Sequence, residues 1–135
     1  MKCWAFLKSD YRIKQFVMNL KVFSKNREWI SYNNVLVDTG YDGDILIPEK
    51  DFKENGFEQA LIIETGKYLA ETVSGEELIL SSAISEIEIN ENKLPIIIET
   101  FSGNNSFIIG RGILIKLKTA LDGFEEKLCL IEKYS

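Results

Sequence analysis

Short β-branched and aromatic runs, each ended by turn residues within about ten positions, leave this chain little room for long helices. Lys14 to Phe23 alternates as a strand does, and Ser24-Lys25-Asn26-Arg27 reads as a turn. Glu28 to Val37 returns as a second strand, bulged at Asn33-Asn34, and Ile45-Leu46-Ile47 is a short apolar strand. Pro48 suits the first position of a short helix, Glu49 and Asp51 favour its dipole, and Gly56 suits its C-terminal cap. Gln59 to Ile63 and Lys67 to Val73 are strand-like, with Ser74-Gly75-Glu76 as a hairpin tip and Glu77 to Ser82 leading back. Ile84 to Ile89 and Leu94 to Thr100 flank a turn at Asn90-Glu91-Asn92. Phe107-Ile108-Ile109 stops at Gly110, and Arg111 to Lys118 suits one or two helical turns. Asp122-Gly123 predicts a hairpin turn before a last strand, Leu128 to Ile131. The sum is an all-β fold: a small closed or nearly closed β-barrel with one or two short helices.

At 135 residues the chain is expected to form one domain spanning 1–135. Its net charge of -5, with Lys and Arg scattered, argues against a nucleic-acid partner. No apolar run reaches the roughly 18–20 residues needed to span a bilayer, so no membrane partner is expected. Met1 to Lys8 is too short and too soon interrupted for a signal peptide, which sets the expectation of a cytoplasmic protein. In that compartment Cys3 and Cys129 default to reduced thiols, while a bridge between terminal strands is left open.

The chain has no histidine. Ser-His-Asp and Cys-His catalysis are therefore excluded, as are His-bearing zinc sites. Acid–base chemistry near neutral pH falls to carboxylates, Lys, Tyr or Cys with shifted pKa values.

Among the carboxylates, Asp38 stands out by its context. Val35-Leu36-Val37 brings it to the end of an apolar strand, and Thr39-Gly40 follows. Gly40 lets the backbone turn sharply or lie close to a ligand, and Thr39 supplies a hydroxyl that can brace the loop. One such Asp is a weak catalytic device. Two facing carboxylates share a proton, so one takes a proton from water while the other polarises a carbonyl. A chain with one such Asp builds the pair by two-fold symmetry. The bland reading is a β-turn in which Asp38 caps its own backbone. A calcium site from Asp38, Asp42 and Asp44 is a weaker reading, because the further ligands of an EF-hand are out of register; no metal or other cofactor is expected.

The run Val35-Leu36-Val37-Asp38-Thr39-Gly40, followed by Tyr41-Asp42-Gly43-Asp44 and Ile45-Leu46-Ile47, resembles the retropepsin-like aspartic proteases, most closely their prokaryotic single-domain members. About seventy residues downstream, Ile108-Ile109-Gly110-Arg111-Gly112 looks like that family's second signature. The resemblance implies a retropepsin-like barrel, aspartic endopeptidase activity on peptide or protein substrates, and a homodimer. It implies Asp38 as the catalytic carboxylate of each subunit. Thr39 would brace the paired loops across the two-fold axis, and Gly40 would offer its carbonyl to the substrate backbone. Asp42 and Arg111 would form an internal ion pair tying loop to helix. Thr72, Val73, Ser74 and Gly75 would form the flap. The chain departs from the retroviral pattern in carrying Tyr41 after the Asp-Thr-Gly and one Gly in the flap tip, Glu71 to Glu76. A catalytically inactive dimerisation or binding module on the same fold is the alternative.

Overall fold

A computed structural model describes residues 1–8, 14–60, 69–71, 75 and 77–131. Its centre is a closed barrel of six strands. These are β4 (Val17–Phe23), β5 (Trp29–Val37), β6 (Ile45–Leu46), β9 (Ser81–Ile89), β10 (Asn92–Thr100) and β11 (Ile108–Ile109), joined in the order β10-β6-β11-β5-β4-β9. The expected all-β barrel is observed.

Side-chain alternation fills its interior. On β9, Ile87 and Ile89 point inward and Glu88 lies between them; on β10, Ile96 and Ile98 point inward while Ile97 is exposed. Met18, Leu20 and Val22 of β4 meet Ile45, Ile47, Ile98 and Ile109 in one core. Each fully buried Ile or Met of this kind contributes about 1.5–3 kcal/mol from apolar burial. The bulge predicted in β5 is present. Met18 pairs with Val35 and Leu20 with Tyr32, so Asn33 and Asn34 oppose Asn19 alone. Asn34 turns through φ 53°, and its N–H donates to Asn19 Oδ1 at 2.9 Å.

A short helix, α1 (Glu49–Glu54), adds its Phe52 to the core. Its Phe52 is buried against Phe57, with ring centroids 5.6 Å apart. Pro48 precedes the first helical residue rather than occupying it, and Gly56 ends the helix at φ 78°. Phe57–Ala60 is a 3-10 turn, not the start of the strand read over Gln59 to Ile63. The two buried rings draw this segment back onto α1, which overrides its local β preference. Residues 61–63 of that reading lie outside the described residues.

The chain ends make a second sheet. β1 (Lys2–Ala5) and β12 (Thr119–Asp122) flank β13 (Lys127–Leu130), giving the order β1-β13-β12. Cys3 and Cys129 sit directly opposite each other, and their sulfurs are bonded. This corrects the default of reduced thiols: the register of β1 on β13 superposes the two side chains, and register is invisible until strands are paired. Such bonds persist in oxidising compartments and in hyperthermophile cytosol. The connection after Asp122 is also longer than a two-residue turn. It spans residues 123–126, with Glu126 at φ 54° and Asp122 Oδ1 accepting the Glu125 N–H at 2.9 Å. Two short antiparallel pairs complete the description: β2 (Leu7–Lys8) on β3 (Lys14–Gln15), and β7 (Leu69–Glu71) on β8 (Glu77–Ile79). Among the described residues, no helix is long and apolar enough to cross a membrane.

Candidate active site

β5 delivers Asp38. Val35 is buried in the core, and Leu36 and Val37 pair in parallel with Ile108 and Ile109 of β11. The ladder runs one step past the strand end, since the Asp38 N–H donates to the Ile109 carbonyl at 2.9 Å. The loop then closes on itself. Asp38 Oδ1 accepts the Gly40 N–H at 2.8 Å, and the Asp38 carbonyl accepts the Tyr41 N–H at 3.2 Å. Asp38, Thr39 and Gly40 are all exposed, and the Thr39 hydroxyl makes no hydrogen bond among the described residues. Asp38 also edges a cavity of about 280 Å³ lined by Lys14, Phe16, Leu36, Val37 and Ile108. A larger cavity of about 650 Å³ is lined by Asn90 to Leu94 and Lys116 to Lys118, not by Asp38, so size alone does not mark the site.

The rest of the loop is seated on α2 (Arg111–Leu114). The Arg111 N–H donates to the Tyr41 carbonyl at 2.8 Å, Gly110 N–H to the Asp44 carbonyl at 2.9 Å, and Gly112 N–H to the Gly43 carbonyl at 3.0 Å. That contact requires glycine at Gly110. A Cβ there would strike the Gly43 carbonyl and lie 2.7 Å from the Tyr41 carbonyl and 2.5 Å from Tyr41 Cδ2. The helix is one turn, within the one or two turns read over Arg111 to Lys118.

Asp42 and Arg111 form an ion pair joining loop to helix. Its side chains are 81% and 56% exposed in the single chain. Solvent at that exposure reduces its contribution to about 0–1 kcal/mol. Of the flap residues, Gly75 lies between the paired β7 and β8 and turns through φ 83°. Thr72, Val73 and Ser74 lie outside the described residues.

Glu99 is a site neighbour that sequence reading did not single out. Tyr41 donates its hydroxyl to Glu99 Oε1 at 2.5 Å, and Asp44 Oδ2 accepts the Ile97 N–H at 2.8 Å. Burial pushes the Glu99 carboxyl above its ordinary range; the Tyr41 hydroxyl pulls it back and the Asp44 charge pushes it up again. Burial also drives the Tyr41 phenol well up, and the Glu99 hydrogen bond and charge add to this. The available signal was one carboxylate closing an otherwise apolar run, Ile96-Ile97-Ile98-Glu99. The carboxylates of Asp38, Asp42 and Asp44 are engaged separately, by Gly40, Arg111 and Ile97. Among the described residues, no three acidic or Cys side chains are grouped to hold a metal ion.

This architecture has solved counterparts. A retropepsin-like aspartic protease from Rickettsia conorii is similar at TM-score 0.58 and 18% identity, over 94% of this chain and 86% of that one. The chain has a retropepsin-like fold. EIAV protease, solved with the inhibitor HBY-793, is similar at TM-score 0.56 and 16% identity, over 80% of this chain and 92% of that one. The retroviral protease-like domain of Ddi1 from Leishmania major is similar at TM-score 0.52 and 12% identity, over 85% and 88%. No family model matches the sequence, and no curated protein aligns with it. The retropepsin-like fold is thus carried by backbone geometry at sequence identities that leave most side chains different.

Proposed function

We propose that the chain is an aspartic endopeptidase acting as a homodimer, with one Asp38 from each subunit. The observation that carries this is the placement of Asp38. In a retropepsin-like barrel, its carboxylate stands exposed at the end of β5, just past the buried Val35, on a loop fixed by the Ile109 carbonyl and the Gly40 N–H. An exposed carboxylate on a rigid loop suits pairing with its symmetry mate.

In the proposed reaction the two carboxylates share one proton, because like charges a few ångströms apart resist joint ionisation. The ionised Asp38 removes a proton from a water molecule, whose oxygen attacks the peptide carbonyl. The protonated Asp38 gives its proton to the carbonyl oxygen. Collapse of the tetrahedral intermediate breaks the C–N bond: the amine leaves with a proton from one carboxyl, and a hydroxyl of the intermediate returns its proton to the other carboxylate, which restores the shared proton as the new C=O forms. Thr39 braces the facing loops, and the Gly40 carbonyl and the segment Thr72 to Gly75 hold the substrate backbone. Asp42 and Arg111 tie the loop to α2. No metal or other cofactor enters this reaction.

The test is Asp38→Asn. Peptide hydrolysis is lost, while circular dichroism and the sedimentation mass of the dimer stay as in the parent chain. Turnover that survives this substitution refutes the assignment, as does a strict monomer that cleaves peptides. A dimer that never cleaves peptides supports the inactive-module alternative.

A further inference from the structure

The residue after the Asp-Thr-Gly is bonded at every polar group it has. The Tyr41 N–H donates to the Asp38 carbonyl, its carbonyl accepts the Arg111 N–H, and its hydroxyl donates to Glu99 on β10. One residue therefore joins the Asp38 loop and the start of α2 through its backbone to the barrel wall through its side chain. Glu99 follows Ile97 on the outer face of β10 by alternation, yet is only 9% exposed.

The slot that holds Tyr41 is specific. A Cβ on Gly43 would strike the Tyr41 hydroxyl and Glu99 Oε1, and a Cβ on Gly110 would meet the Tyr41 ring. Two glycines thus clear the path for one phenol. Asp44 pins the far end of the same loop to the Ile97 N–H, with Lys116 Nζ 3.9 Å from its carboxylate. A filler residue would need the slot but not the hydroxyl. Here the hydroxyl is spent on a buried acceptor 58 residues away in sequence.

We propose that Tyr41 and Glu99 are a positioning pair that fixes the height and tilt of the Asp38 loop relative to the barrel, and so the spacing of the two Asp38 carboxylates. This rests on the aspartic-protease reading. Neither residue touches substrate; both act through Asp38. The Glu99 oxygen accepts the phenol proton whether its carboxyl is ionised or protonated, so the strut holds over a wide pH range. An amide oxygen in the same place does the same.

The experiment compares Tyr41→Phe, Glu99→Leu, Glu99→Gln and the double variant Tyr41→Phe/Glu99→Leu as full chains. Tyr41→Phe keeps the ring in its slot and removes only the hydroxyl. Mispositioning of reacting groups by fractions of an ångström costs on the order of tenfold to a hundredfold in turnover. That fall in kcat is expected for Tyr41→Phe and Glu99→Leu, with KM unchanged. The upper apparent pKa of the pH–kcat profile shifts with it, since that value depends on carboxylate spacing. Glu99→Gln restores kcat and profile, and the double variant is no worse than either single one. Parental kcat and profile in Tyr41→Phe overturn the proposal. So do a raised KM at parental kcat, losses that multiply in the double variant, or failure of Gln to rescue.

Amide hydrogen exchange separates this proposal from the protease reading. If the parent chain cleaves no peptide, the protease reading fails, and exchange alone decides the strut. Faster exchange at Asp38, Gly40 and Arg111 in Tyr41→Phe, with β9 and β10 unchanged, upholds it. Unchanged exchange at those three amides refutes it.

Discussion

Gly110→Ala adds one methyl group where the loop and α2 are closest. Gly110 has φ -101° and ψ -177°, an extended conformation that alanine adopts freely, so the substitution tests contact without backbone strain. The added carbon meets two backbone carbonyls, those of Gly43 and Tyr41, and the Tyr41 ring. Those carbonyls, held by the Gly112 and Arg111 N–H groups, cannot rotate away as a side-chain tip can. Overpacking of this kind costs about 1–3 kcal/mol, and the immobile neighbours place it at about 2–3. For 135 residues the unfolding entropy is about 0.28 kcal/mol/K, so Tm should fall by about 7–11 °C. The assay is thermal unfolding at fixed protein concentration, because an oligomer's Tm depends on it. Gly123→Ala is the matched control: a Cβ there meets nothing within 4 Å, and it should be neutral or gain up to about 1 kcal/mol. Equal Tm for the parent and Gly110→Ala would refute the close-approach argument.

The Glu99 carboxyl, raised by burial, binds more protons in the folded than in the unfolded chain at pH values above its ordinary 4.5. Its contribution to stability is therefore complete below 4.5 and declines as pH rises through the raised folded value. Glu99→Gln should flatten that decline in urea midpoints taken across pH; an unaltered slope would contradict the burial effect. Reducing Cys3–Cys129, which closes a sequence separation of 126 residues, should lower urea-derived stability by up to about 5 kcal/mol on a chain-entropy basis. Stability that ignores reductant would mean that the bridge constrains little in the unfolded chain. Phe52→Ala removes a ring that is 1% exposed and packed at a tilt against Phe57, at a cost of about 3–5 kcal/mol by equilibrium unfolding. A loss below 1 kcal/mol would show that α1 is not anchored by that ring.

What was readable locally was readable from sequence. The alternation in Ile84 to Ile89, the bulge at Asn33-Asn34 and the stop at Gly110 each follow from the few residues around them. The approach of Ile108-Ile109 to Leu36-Val37 was foreshadowed by two apolar runs that each end at a loop signal. Features set by pairing between distant segments were not readable. Glu99 meets Tyr41 only because β10 lies beside β6 with a particular face outward. Cys3 meets Cys129 only because β1 pairs with β13 in one register and not its neighbour. Gln59 and Ala60, read as the start of a strand because Leu61-Ile62-Ile63 carries a strand-like run, belong to the 3-10 turn Phe57–Ala60, where the deciding contact is Phe57 on Phe52. The exposure of the Asp42 and Arg111 side chains in the single chain is likewise not written in the residues around either one.

The bonded sulfurs of Cys3 and Cys129 make a mechanical shunt of the chain ends. A pull applied upstream of Cys3 and downstream of Cys129 travels through two sulfur atoms and puts no tension on the 125 residues between them. A machine that unravels proteins by drawing on one end would meet a closed covalent ring at the third residue or the 129th. It would have to thread two strands at once or wait for reduction. With the bridge open, the same pull reaches β1 and β13 directly and peels the terminal sheet one hydrogen-bonded pair at a time.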